Sequence, residues 1–204
     1  GDALAVARLL AEQGYGVSAF LFNITGHLSA DCAANKDRLV SVKKIQQFIE
    51  VKQEFDPPHL DAGTLVVDGL FGSGLNKPLA GFASLVKYIN ASPASVVSID
   101  VPSGLMAEDN TYNVRANTIH ADLTLTLQQP KLSFLFAENQ HYIGRLKVLD
   151  IRISEEGMAK TDVRYHIVDE NEVRPLLKKR SDFAHKGSMG NALLVAGSYG
   201  MGGA

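Results

Sequence analysis

Two apolar runs in this 204-residue chain each end in an aspartate, and glycine, serine and proline follow within a few residues. Asp68 closes the run LVV, and Asp100 closes the run VVSI. In an open α/β sheet, a buried strand that stops at a carboxylate and opens into a glycine-bearing loop is a usual place for a site. The two aspartates lie about one βαβ unit apart. Residues 64–105 therefore predict a site built from two strand ends.

The loop after Asp68 has the composition of a phosphate-binding loop. Its glycines let the backbone approach a ligand, its lysine can meet a phosphate, and a helix predicted over residues 78–90 would begin just beyond it. The loop matches neither GxxxxGK[ST] nor GxGxxG, and on its own an ordinary βα turn explains it equally well. The residues concerned are Gly72, Ser73, Gly74, Leu75, Asn76, Lys77 and Pro78.

The sequence DVPSG after the second strand is more specific. Its proline fixes the backbone and its glycine permits a tight bend, so that the Asp100 carboxylate and the Ser103 hydroxyl remain at the mouth of the sheet. Asp68 and Ser103 would offer oxygen ligands only, which suit a hard cation rather than zinc. The alternative interpretations are that Asp100 caps the next turn and that Asp68 is a structural hydrogen-bond acceptor.

Other chemically reactive residue types give weaker signals. Lys131, which follows Pro130, could hold a ligand phosphate, but a lone lysine after a strand is more often a solvated surface residue. Cys32 is interpreted as a small core side chain, since no histidine is adjacent to it in the sequence. His120 and His141 are expected to be structural or exposed.

Composition favours a globular protein that acts on a small molecule. With 46% apolar residues, 21% charged residues and a net charge of −2, nothing indicates disorder or a general attraction to nucleic acid or acidic membranes. One cysteine excludes an intramolecular disulfide, and the six histidines have no zinc spacing. No apolar run approaches the length of a membrane span. We expect a cytoplasmic protein with a sizeable core, and a homo-oligomer is compatible with the sequence.

The order of helix and strand patterns predicts a three-layer α/β domain with a Rossmann-like, mostly parallel sheet. Right-handed crossovers would then place the two site strands side by side. The first helix, over residues 3–13 with Asp2 as its cap, has no strand before it, so we expect the N-terminal part of the domain to lie outside this chain. Further helices are predicted over residues 30–40 and 78–90, and strands over residues 17–22, 65–67, 96–99, 123–127 and 146–153.

A second domain is expected near the end of the chain. The apolar pattern lapses after residue 154, resumes as a predicted strand over residues 163–168, and returns in a strand over residues 192–196 that leads into the glycine-rich segment GSYGMGGA. These patterns predict one domain over residues 1–154, a linker over residues 155–162, and the beginning of an incomplete domain over residues 163–204.

Four motifs occur in the order seen in a known family. GD at the start of the first helix, VVDGLFGSGLNKPL, SIDVPSGL and LTLQQPK resemble the YjeF N-terminal family, the NAD(P)HX epimerases. The tail HKGSMGNALLVAGSYGMGGA resembles the opening of the ADP-dependent NAD(P)HX dehydratase domain, which has a ribokinase-like fold. The first resemblance covers about three quarters of the chain, whereas the second covers only about twenty residues.

The resemblance implies roles for particular residues. Gly1 and Asp2 match the end of the family's NNGGD loop, which binds the hydrated nucleotide, and residues 72–78 match the loop that holds the same nucleotide. Asp68 and Ser103 match potassium ligands. Asp100 matches the aspartate that contacts the hydrated nicotinamide and acts as acid/base. Ala204 falls where the dehydratase domain begins to contact its substrate.

The implied function is repair of hydrated NAD(P)H by interconversion of its R and S epimers, with potassium as a cofactor. Bifunctional relatives couple this step to an ADP-dependent (or ATP-dependent) dehydration of the S form. Two alternatives remain open: a non-catalytic nucleotide-binding scaffold of the same fold, and a ribokinase-like small-molecule kinase, which rests on the tail alone.

Overall fold

Helices and strands alternate along the chain in the computed structural model, which describes residues 1–177 and 179–200. The helices are α1 (Asp2–Glu12), α2 (Ala30–Val40), α3 (Ala83–Ala91), α4 (Gln140–Ile143), α5 (Glu155–Ala159) and α6 (Glu170–Val173). The strands are β1 (Ser18–Phe22), β2 (Gln47–Val51), β3 (Leu65–Asp68), β4 (Ser95–Ile99), β5 (Leu123–Leu127) and β6 (Arg145–Leu149). Short 3-10 turns span Arg115–Asn117, Leu132–Leu135, Ala137–Asn139 and Arg174–Leu176.

The chain divides into two compact units, Gly1–Ser154 and a second unit that begins at Glu155. All six strands belong to the first unit and pair in parallel. The predicted Rossmann-like α/β fold with parallel strands is thereby confirmed. No helix within the described ranges is long and apolar enough to cross a membrane.

The strands form two sheets where the sequence predicts one. β1 pairs with β2, and a separate sheet has the order β3-β4-β5-β6. Side chains rather than a backbone ladder join the two sheets at an aromatic contact: the Phe82 ring lies edge-on to Phe22 of β1 at 5.6 Å and to Phe71 at 5.3 Å. Phe55 packs edge-on against Phe20 and Phe22 in the same region. The two sheets thus meet through aromatic packing.

Each sheet has its own apolar core. Leu4 and Ala7 of α1 pack with Ala19 of β1 and with Cys32 and Leu39 of α2. Cys32 is a buried free thiol in this core, as the sequence predicts, and its backbone N–H is capped by the Ser29 hydroxyl. A second core joins α3 to β4 through Leu79, Val86, Ile89, Val96 and Ile119. A third lies beneath the DVPSG loop and contains Val101, Leu105, Tyr142 and Ile143.

Two of the predicted helix starts are wrong. α3 begins at Ala83, five residues after Pro78. Gly81 has a φ of +80° and Phe82 is not helical, so the residues before Ala83 cannot form a first turn of the helix. Leu79, which lies within the helix predicted over residues 78–90, belongs to a loop and is nevertheless buried. Asp2 lies inside α1, whose cap is Gly1, and its side chain makes no capping hydrogen bond.

The strand predictions after residue 149 are also wrong. β6 ends at Leu149 because Asp150 accepts the N–H of Arg152, whose φ is +58°, and so turns the chain. Residues 163–168 and 192–196 form no strand, and their apolar side chains, such as Leu193 and Val195, are exposed. A strand needs a neighbour to pair with, and neither segment has one among residues 1–177 and 179–200. The expected start of a ribokinase-like domain stays a prediction.

Candidate active site

The parallel pairing of β3 with β4 brings the two aspartates to the same edge of the sheet. Asp68, the last residue of β3, is in register with Ser98, and Asp100 follows β4 directly. Both carboxylates are largely buried, with 4% of Asp68 and 9% of Asp100 exposed. The prediction that these strand ends lie side by side is therefore confirmed by the register.

The Asp68 carboxylate is the centre of a buried hydrogen-bond network. Its Oδ2 accepts bonds from the Ser98 hydroxyl and from the Ser103 backbone N–H, both at 2.8 Å. Its Oδ1 accepts the Ser103 hydroxyl at 2.5 Å and the Leu70 N–H at 3.4 Å. Burial raises the pKa of Asp68, although the bonds from Ser103 and Ser98 favour the charged form. Asp68 thus ties the end of β3 to the DVPSG loop.

Ser103 also reaches the loop that follows β3. Its hydroxyl oxygen accepts the Phe71 N–H at 2.9 Å and lies 3.2 Å from the Phe71 carbonyl oxygen. The glycine after it, Gly104, has a φ of +95°, and a Cβ there would lie 2.1 Å from the Asn117 carbonyl oxygen. Only glycine fits this bend, which fixes Ser103 against Asp68.

The two predicted cation ligands, Asp68 and Ser103, are in direct contact. They supply one carboxylate and one hydroxyl, and within the described part of the chain no three His, Cys, Asp or Glu side chains cluster to hold a metal ion. A single negative charge among neutral oxygens is a donor set for a hard cation of low charge. If the Ser103 hydroxyl donated to the Phe71 carbonyl instead of to Asp68, Asp68 Oδ1 would be freed, and Ser103 Oγ would keep one lone pair besides the one that accepts the Phe71 N–H. These residues therefore fit a potassium ion by their chemistry.

Asp100 is held in an unusual backbone conformation. Its φ is +66°, a region that aspartate and asparagine tolerate better than other L residues. Its N–H donates to the Leu125 carbonyl at 2.8 Å, so β5 holds the backbone at the point where β4 ends. This turn directs the side chain towards the residues that follow β5 and towards the glycine loop.

The Asp100 carboxylate forms an ion pair that sequence reasoning missed. Lys131 Nζ lies 2.9 Å from Asp100 Oδ1, and 17% of the lysine side chain is exposed. Burial works to raise the pKa of Asp100, but the hydrogen bonds from Lys131 and Ser73 outweigh it and leave the pKa below its ordinary value. Lys131 is therefore a partner of Asp100, and the surface role favoured by its sequence context is wrong.

The glycine loop lines a cavity of about 470 Å³, and one of its lining residues, Gly72, lies beside the Asp100 carboxylate. The loop meets the carboxylate through the Ser73 N–H, which donates to Asp100 Oδ2 at 3.2 Å. It closes on itself by a bond from the Leu75 N–H to the Gly72 carbonyl. Lys77 is exposed at the loop. Because α3 starts at Ala83, no helix N-terminus follows the loop directly, and the groups there that could meet an anion are backbone N–H groups and Lys77.

Gly1 and Asp2 approach the same edge through the start of α1. A Cβ at Gly69, the residue after Asp68, would lie 2.7 Å from the Ala3 Cβ, so the two segments are in close contact. The structure thus brings six groups of predicted site residues to one edge, namely Gly1, Asp2, Asp68, residues 72–78, Asp100 and Ser103. The remaining candidate, Ala204, lies outside the described residues.

Comparison with known proteins supports this assignment of motifs. Residues 1–133 match the family described as YjeF-related protein N-terminus. The chain is 33% identical, over its full length and 40% of the relative, to the bifunctional NAD(P)H-hydrate repair enzyme of Coxiella burnetii. It is 36% identical, over 75% of the chain and 67% of the relative, to the NAD(P)H-hydrate epimerase of Lentilactobacillus buchneri.

A third relative is also named an NAD(P)H-hydrate epimerase. The NAD(P)H-hydrate epimerase of Limosilactobacillus fermentum is 33% identical over 74% of the chain and 68% of the relative. The chain spans about two fifths of the length of the bifunctional relative from Coxiella burnetii. Since the family match covers more than half of the chain and includes both site strands, the chain belongs to the family of YjeF-related protein N-termini.

Proposed function

We propose that this protein interconverts the R and S epimers of hydrated NAD(P)H, with Asp100 as the acid/base. The observation that carries the proposal is the Asp100 carboxylate itself, which accepts a hydrogen bond from the glycine loop that lines a cavity of about 470 Å³. Relatives that align with both site strands are named NAD(P)H-hydrate epimerases, which supports the choice of substrate. Expected partners are small molecules.

Epimerisation of hydrated NAD(P)H requires a group that accepts a proton and returns it. Hydrated NAD(P)H has a hydroxyl on a hemiaminal-like ring carbon. If a base removes the hydroxyl proton, the oxygen forms a carbonyl, the C–N bond breaks and the ring nitrogen takes up a proton. Closure on the other face of the carbonyl reverses these transfers and inverts the carbon. The lowered pKa of Asp100 keeps it ionised at neutral pH, as the first transfer requires.

The glycine loop would hold the nucleotide during this reaction. Ser73 and Gly74 are exposed, and Lys77 adds a positive charge at the same loop. Backbone N–H groups in such a loop and a nearby lysine are suited to a diphosphate. The start of α1, with Gly1 and Asp2, would form a further wall of the site next to Gly69. Binding would thus be separated from the proton transfers at Asp100.

Potassium, if bound, would be held by Asp68 and Ser103, where it would offset negative charge and stiffen the two strand-end loops. We expect potassium chloride to raise the melting temperature above that in tetramethylammonium chloride at the same ionic strength. A ligand at about 100 times its Kd stabilises by about 2.7 kcal/mol. Differential scanning fluorimetry would measure the shift, and Asp68→Ala should abolish it. Equal melting temperatures in both salts would contradict the cation site.

The dehydration half of the repair reaction is a proposal for the protein as a whole. The bifunctional relative from Coxiella burnetii matches the chain from end to end, including the segment that resembles the opening of a dehydratase domain. ADP or ATP would be the cosubstrate of that second reaction. We assign the dehydration to residues other than those at the ends of β3 and β4.

A direct assay tests the proposed function. Purified R epimer of hydrated NADPH is incubated with the protein, and the S epimer is measured by chromatography against heat-inactivated protein. We expect the epimers to reach equilibrium far faster with the active protein. Equilibrium dialysis with hydrated and intact NADPH completes the test: tight binding of both without interconversion would overturn the proposal in favour of a non-catalytic binding module.

A further inference from the structure

We propose that Lys131 is a positioning residue that divides the tasks of the two Asp100 oxygens, so that Oδ1 is anchored to the protein and Oδ2 meets the substrate. This inference rests on the proposed function, because it concerns how the acid/base of that reaction is aimed. It assigns a role to a residue that lies beyond both site strands, after β5.

Asp100 Oδ1 is surrounded by donors from β5 and from the turn after it. Lys131 Nζ lies 2.9 Å away, the Leu127 N–H is at 3.3 Å, and the Thr126 hydroxyl is at 3.4 Å. Thr126 is completely buried, which fixes its position. Three donors on one oxygen leave little room for a substrate proton there, so Oδ1 serves as the anchor.

Lys131 is itself held in place, which makes it an anchor rather than a phosphate ligand. Its ammonium group donates to the Leu127 carbonyl at 3.0 Å and to the Gln129 carbonyl at 3.2 Å, in addition to Asp100. An ammonium has three protons, so these three acceptors use all of them. The chain returns towards Asp100 because Gln128 has a φ of +61°.

The other oxygen faces the glycine loop. Asp100 Oδ2 accepts a hydrogen bond from the Ser73 N–H at 3.2 Å. A Cβ added at Gly72 would lie 3.5 Å from this oxygen, in ordinary van der Waals contact, so glycine leaves the space above Oδ2 open. Oδ2 therefore has a lone pair available for a substrate proton, and it lies on the side of the glycine loop, which would hold the nucleotide.

Loss of Lys131 should affect turnover rather than binding. Lys131→Met would free the carboxylate to rotate, and a misplacement of about 1 Å can cost about a hundredfold in rate. We expect kcat to fall by about tenfold to a hundredfold, with KM and the Kd of intact NADPH within about twofold of wild type. Lys131→Arg retains the positive charge and should recover part of the loss.

The pH profile provides a second readout. The described contacts of Asp100 are Ser73 from the loop, Thr126 and Leu127 from β5, and Lys131, which is the one ion-pair partner among them. Because Lys131 lowers the pKa of Asp100, its removal should move the acid limb of kcat to higher pH. The limb should stay near its wild-type position in Lys131→Arg.

The experiment compares wild type with Lys131→Met, Lys131→Arg and Lys147→Met, an exposed lysine on β6 that serves as the matched control. For each protein, kcat and KM for epimerisation are measured against pH, with Kd for NADPH by dialysis. Melting temperatures verify folding, and Lys131→Arg and Thr126→Val extend the test if Lys131→Met does not fold. A wild-type kcat and acid limb in a folded Lys131→Met would overturn the inference, as would a loss confined to KM and Kd. If wild type does not interconvert the epimers, the proposed function fails instead.

Discussion

Asp100→Asn is expected to lower kcat for epimerisation by about 10²–10⁴-fold, the range in which a positioned general acid/base contributes. Asparagine tolerates a positive φ, so the backbone turn at residue 100 should be retained. The amide cannot accept and return the substrate proton. Nucleotide binding should persist because the loop of residues 72–78 is unchanged.

The measurement is interconversion of the purified epimers, with dialysis of intact NADPH as the binding readout. Asp37→Asn is the matched control, since Asp37 is exposed on α2 and makes no contact with the two strand ends. Control activity should equal that of wild type. An Asp100→Asn variant that epimerises within a few-fold of wild type would remove Asp100 from the chemistry.

Asp68→Ala should cause the largest loss of stability among single changes at the site. It removes the acceptor of four donors, namely the Ser98 hydroxyl, the hydroxyl and N–H of Ser103, and the Leu70 N–H, and both serines are completely buried. Each buried donor left without a partner costs about 1–3 kcal/mol, while relief from burying a carboxylate returns part of this. We expect a decrease of about 2–4 kcal/mol in the free energy of unfolding.

Urea unfolding would measure this decrease as a lower midpoint at constant m-value. Asp37→Ala on the surface of α2 should change the free energy of unfolding by less than about 0.5 kcal/mol. Asp68→Asn, which keeps a carbonyl acceptor, should fall between the two. If Asp68→Ala were as stable as the control, the network would not hold the two loops together.

Local pattern was enough to predict the parallel strands and the pair of carboxylates. β5 spans the five alternating residues LTLTL that predict it, and α2 has the predicted bounds because Ser29 caps it and its apolar positions follow a helical period. Asp68 and Asp100 were found because each ends an apolar run. In these cases the pattern of buried positions that determines the element is visible in consecutive residues.

Features that depend on residues distant in the sequence were not predicted. Leu79 lies in a loop and is buried. Its spacing from the neighbouring apolar residues is that of a helix, so no local pattern distinguishes it from a buried helical residue. Lys131 is separated from Asp100 by a whole strand and its connections, so its ion pair follows only from the neighbouring positions of β4 and β5. The order of the motifs did contain a signal for this ion pair. When neighbouring strands are parallel, the residues that follow each strand lie at the same edge of the sheet.

The separation of the strands into two sheets implies two levels of protection against hydrogen exchange. The amides of β3, β4 and β5, which lie around the two carboxylates, belong to one sheet. In contrast, α1 packs with β1 and α2 in the core of the other sheet. Cooperative opening units often coincide with such supersecondary motifs. A fluctuation that releases α1 would therefore move Gly1 and Asp2 away from the strand ends while Asp100 and Lys131 stay in place.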